Sequence, residues 1–103
     1  MATYAIAANE VAAHNKTLVA DTVDTVTFAG NISTVAVVSN GSAAIYYTVD
    51  GSTPTVGGAN TFVLPAGAIS ADTRGTTNTS GAPLDVVKLI SSGTPTYSVQ
   101  RGE

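Results

Sequence analysis

The chain predicts an all-β fold, a single antiparallel β-sandwich of about seven short strands, from composition, alternation and spacing. Its 103 residues are dominated by Thr, Ala and Val and include ten Gly and four Pro. β-Branched side chains are crowded in a helix and fit a pleated surface, so this composition leans toward strands. Short apolar runs alternate with a period of two, and turn formers interrupt them roughly every 8–12 residues. No repeat or linker divides the chain, so residues 1–103 read as one domain.

Taken in order, Thr3 to Ala7 reads as a strand, Asn9 to Asn15 as a connection with room for a turn of helix, and Lys16 to Ala20 as a second strand. From Val23 to Ala29, Val26 and Phe28 share one face and Thr25 and Thr27 the other, before Gly30-Asn31 ends the run. Ile32 to Ser39 and Ala43 to Val49 flank Asn40-Gly41-Ser42, a pair type that readily adopts positive φ, and so predict a hairpin. In the second of these runs Ile45 and Tyr47 are assigned to the core, and Tyr46 faces the opposite way.

Asp50 to Asn60 is too rich in turn formers to be a strand. Thr61 to Leu64 is a short strand stopped by Pro65, with Phe62, like Phe28, read as core. Residues 67–83 are mostly surface loop with one short strand. Asp85 to Ile90 and Thr96 to Arg101 predict a second hairpin across Ser91-Ser92-Gly93-Thr94-Pro95.

Charge narrows the function. Lys16, Arg74, Lys88 and Arg101 oppose seven acids, a net charge of −3, which offers no footprint for nucleic-acid phosphates. Without cysteine there is no disulfide framework or thiolate metal site. The opening Met-Ala-Thr-Tyr-Ala-Ile-Ala lacks the charged start and apolar run of a secretory signal, which predicts an intracellular product. No stretch approaches the ~20 apolar residues of a membrane span. Only 11% of residues are charged, against about 25% in an average soluble protein, and mean hydropathy is +0.25, a balance that suits a subunit with covered faces.

Catalytic and metal constellations are weak. His14 is the single histidine and has no nucleophile-elbow pattern beside it, so it reads as a solvated loop residue. Asp21 and Asp24 read as flanking a strand start rather than as an acid pair. Asp50-Gly51-Ser52 lacks the alternating carboxylates of a calcium loop and reads as a turn. Gly57-Gly58 and Gly75 have no Lys-Ser/Thr behind them to hold a nucleotide phosphate. Sequons at Asn15, Asn31, Asn40 and Asn78 are expected by chance in a chain so rich in Asn, Ser and Thr. The sequence therefore predicts no enzyme, cofactor or metal. Of Tyr4, Tyr46, Tyr47 and Tyr97, Tyr46 is the candidate partner-facing residue; otherwise it is a half-buried tyrosine on a sheet surface.

Two resemblances add to this reading. Ile45-Tyr46-Tyr47-Thr48-Val49-Asp50-Gly51-Ser52-Thr53-Pro54-Thr55 resembles the signature of immunoglobulin-like modules similar to the carboxyl-terminal domain of chitobiases, and covers about a tenth of the chain. That likeness implies an immunoglobulin-like sandwich and nothing catalytic. A small, cysteine-free, Thr/Ala/Val/Gly-rich chain ending in Val-Lys-Leu-Ile-Ser-Ser-Gly-Thr-Pro-Thr-Tyr-Ser-Val-Gln-Arg-Gly also resembles the minor virion proteins of tailed bacteriophages, capsid decoration proteins first. The resemblance implies a structural protein made in the host cytoplasm and carried on the capsid exterior. Its partners would be the major capsid protein and further copies of itself, in trimers. The alternatives are a carbohydrate-binding or adhesion module, and another head–tail or tail structural protein. With no Trp and six aromatic residues, a flat sugar-stacking face is hard to assemble.

Overall fold

The computed structural model describes residues 2–7, 10, 12–28, 34–49, 52–58, 61–69, 73–74 and 86–101, and among them there are strands and no helix. The strands are β1 (Thr3–Ile6), β2 (Ala12–Thr17), β3 (Asp24–Phe28), β4 (Thr34–Ser39), β5 (Ile45–Thr48), β6 (Phe62–Leu64), β7 (Thr73–Arg74), β8 (Val86–Ile90) and β9 (Thr96–Arg101). They form two packed sheets. One has five strands in the order β1-β3-β8-β5-β6; the other runs β2-β9-β4-β7, and its last member is only two residues long.

The all-β, two-sheet prediction holds, with one correction: the larger sheet is mixed, because β1 lies parallel to β3. Every other strand pair is antiparallel. A parallel neighbour needs a crossover between the two strands. The chain makes it through β2, which lies in the other sheet.

Both predicted hairpins are corrected too. Strand β4 pairs with β9 and β7 while β5 pairs with β8 and β6, so Asn40-Gly41-Ser42 carries the chain from one sheet to the other. Residues 91–95 do the same between β8 and β9. These two arches brace one another. The Asn40 amide donates to the Thr96 carbonyl (2.8 Å), and a Cβ built on Gly41 would run into Pro95, so only glycine fits there. The buried Ser91 hydroxyl donates to the Ala44 carbonyl (2.7 Å) and accepts from the Gly93 amide (3.2 Å). From 18–23, the Leu18 amide reaches Pro95 and the Asp21 amide reaches Ser91, tying three connections at one end of the sandwich.

The core lies between the sheets. Val26, Phe28, Val87, Leu89 and Ile45 enter from the mixed sheet and Val35, Val37, Tyr97 and Val99 from the other, all fully buried. The alternation read in 23–29 is confirmed: Val26 and Phe28 are buried while Thr25 and Thr27 are half-covered outside. Strand β2 occupies much of the stretch expected to be a connection. It carries a bulge in which His14 and Asn15 stand opposite Ser98 alone, with Asn15 at φ 54° and its amide donating to the Ser98 hydroxyl (3.1 Å). An extra residue leaves the ladder locally unpaired, and asparagine is among the few non-glycine residues that accept this conformation.

Candidate interaction surface

Tyr46 sits in the middle of β5, half-buried on the outer face of the mixed sheet. Its cross-strand partners there are Ile90 on β8 and Val63 on β6. Tyr47, next along the strand, is buried, as is Ile45, which confirms both as core. The chitobiase-like run is structural in its local contacts: the buried Thr48 hydroxyl donates to the Ser52 carbonyl (2.6 Å), and Pro54 packs inside. Asp50 and Gly51, the considered calcium turn, lie outside the described residues.

Beyond Tyr46 the surface becomes apolar. Among the described residues the exposed large hydrophobic side chains are Val19, Val56, Phe62, Val63 and Ile69, and four of these five fall within 56–69. Phe62 is corrected from core to surface at 49% exposed, because β6 is the last strand of its sheet. Its inner side stacks on Tyr47, ring centroids 5.3 Å apart, and the remainder faces out at the flank. Val63 is 58% exposed beside Tyr46, and Ile69, 70% exposed, bridges to Val38 on the other sheet. Edge strands are commonly guarded by charge. Here no charged residue occurs from Gly51 to Ala71. That uncharged run was the sequence signal for this surface, and single-strand alternation passes over it.

The other tyrosines do different work. Tyr97 is fully buried and donates its hydroxyl to Asp24 Oδ2 (3.0 Å), a buried bond linking β9 of one sheet to β3 of the other. Asp24 Oδ1 accepts from the Ala2 amide (3.1 Å), so one carboxylate ties both sheets and the start of β1. Burial first, then the Asp24 charge, push the Tyr97 phenol well above its ordinary value. Asp24 thus begins β3 as expected of a strand start, and Asp21 sits apart in the turn before it at φ 56°.

Tyr4 lies under the Lys16 ammonium, 4.7 Å from the ring centroid. The two residues line a cleft of about 310 Å³ between β1 and β2 together with Ile6, Glu10, Ala13 and His14. Polar groups in this cleft serve the fold itself: Glu10 Oε1 accepts from the Ala7 amide (2.9 Å), closing the turn that leaves β1. His14 is exposed at the β2 bulge rather than in a loop. Among the described residues no three His, Asp or Glu side chains gather where they could share a metal ion.

No family model, curated protein or solved structure matches the chain. The surface and its chemistry therefore carry the functional reading.

Proposed function

We propose that this chain is a structural virion protein of a tailed bacteriophage, a capsid decoration protein that binds the outside of the major capsid shell and stabilises it. The observation that carries this reading is the uncharged, apolar surface of 56–69 beside Tyr46, on a chain with few charges elsewhere. Such a surface is expensive to leave in water and suits a permanent partner. No chemistry is assigned to it. Many weak contacts on a symmetric shell add up to firm attachment through avidity. Tyr46, an amphipathic side chain on an open sheet face, is the residue that meets the shell. The copies gather as homo-oligomers, in trimers as the resemblance implies.

The finer fold reading belongs with this proposal. Strand connectivity supports an immunoglobulin-like sandwich: β3, β8 and β5 adjoin in the order of strands B, E and D, and β4 and β9 in that of C and F. Strand β2 then occupies the place beside β9 where a seventh strand, G, would stand. The carbohydrate-binding alternative has less support, since Tyr47 and Tyr97 are buried and cannot stack on a sugar.

Sedimentation of the purified protein with undecorated phage heads tests the proposal. Saturable co-pelleting at a fixed ratio to the shell protein is expected. A protein that stays in the supernatant at every concentration overturns it.

A further inference from the structure

We propose that Asn40 is a self-modification site, at which the backbone nitrogen of Gly41 displaces the Asn40 side-chain nitrogen and converts the residue to aspartate and isoaspartate in the folded protein. Of the six asparagines in the chain, Asn40 alone precedes a glycine. Any other residue in that place would set a side chain beside the attacking nitrogen, and glycine leaves its approach open. The fold itself demands that glycine, since Pro95 fills the space where a Cβ on Gly41 would stand. The groups that must react are also at liberty. Asn40 is exposed, and among the described residues neither its carboxamide nor the Gly41 amide has a hydrogen-bond partner. The bond that Asn40 gives to the Thr96 carbonyl comes from its own backbone amide, which takes no part in the reaction.

The Gly41 nitrogen gives its proton to solvent and bonds to Asn40 Cγ; the Cγ–Nδ2 bond breaks, and Nδ2 takes up a proton and leaves as ammonia. Water then opens the resulting succinimide ring on either side. Opening at Cγ gives aspartate. Opening at the main-chain carbonyl gives isoaspartate, in which the chain runs through Cβ and Cγ and is one carbon longer. Either product adds one negative charge to the net −3. They differ in what they do to the two arches. Gly41 is held against Pro95, with the Asn40 amide bonded to Thr96 on one side and the Ala44 carbonyl bonded to Ser91 on the other. A close-packed contact of this kind has no room for an extra main-chain carbon, so isoaspartate forces the arches apart. Aspartate keeps them together, because the Asn40 side chain faces water. The reaction is independent of what covers the β6 flank.

Peptide mapping by mass spectrometry of the native chain, aged in warm and mildly alkaline buffer, compares Asn40 with Asn15, which is also exposed but precedes Lys16. Asn40 is expected to lose its amide roughly tenfold faster than Asn15, with isoaspartate among the products. The rate should fall at neutral pH, where less of the Gly41 nitrogen is deprotonated. Equal rates at the two sites, or an Asn40 that converts only after unfolding in urea, overturn the proposal. Asn40→Asp separates charge from chain length. The isoaspartyl chain purified from the aged sample is expected to unfold at lower urea than this variant, which should match the wild-type midpoint. An isoaspartyl chain as stable as Asn40→Asp overturns the assigned effect on the arches.

Discussion

The two flanks of the sandwich solve the same edge problem in opposite ways. At the β1/β2 flank the open strands are dressed with polar groups: Lys16 lies over Tyr4, Glu10 closes the turn after β1, and Asp24 holds the Ala2 amide while bonding Tyr97 across the core. At the β6 flank Phe62, Val63 and Ile69 stand exposed within the run from Gly51 to Ala71, which holds no charged residue. A flank guarded by ions and hydrogen bonds is finished in the single chain. On the proposed function the apolar flank is completed by the shell it binds.

The largest effect is expected at the buried anchor of the polar flank. Tyr97→Phe keeps the ring packing and strips Asp24 of its buried donor, which should cost about 2–3 kcal/mol in urea unfolding. The same bond predicts alkaline sensitivity. Because the folded phenol is held above its unfolded value of about 10, its stabilising contribution is whole below that pH and is lost as pH rises further. Between wild type and Tyr97→Phe, the stability difference should shrink by about 1.4 kcal/mol per pH unit above pH ~10.

A smaller effect, with the opposite sign, is expected at Ser39, whose buried hydroxyl has no hydrogen-bond partner among the described residues. Ser39→Ala should raise stability by up to about 1 kcal/mol in the same urea series, since it removes an unsatisfied polar atom. Lys16→Ala should cost about 0.5 kcal/mol, read as a small fall in the urea midpoint, the usual size of an exposed cation–π contact. Val63→Lys should leave stability within about 0.5 kcal/mol. Its effect should appear instead as weaker co-pelleting with phage heads, because it sets a charge in the apolar surface beside Tyr46.

Local patterns were legible where one strand decides them. The alternation of Val26 with Thr25 and Thr27, and of Ile45 and Tyr47 with Tyr46, placed core and surface correctly because period-two geometry is intrinsic to a strand. Which sheet a strand joins is not local. Asn40-Gly41 looks the same in a hairpin and in an arch between sheets, and what distinguishes them is Pro95 packed against Gly41. Phe62 was misplaced for the same reason, since edge position depends on strand order. The Asp24–Tyr97 bond joins residues 73 positions apart, and neither residue's neighbours announce the other. Tyr46 was placed on the correct face from alternation alone, while the apolar patch beside it needed the pairing of β5 with β6.

The most direct test of the account is a head-binding titration comparing Tyr46→Ala with Lys16→Ala, one substitution on each side of the contrast. The account predicts that Tyr46→Ala weakens co-pelleting by roughly tenfold or more, about 1.4 kcal/mol, while Lys16→Ala binds like wild type. Undiminished binding by Tyr46→Ala together with loss of binding by Lys16→Ala would contradict it and move the working surface to the polar flank.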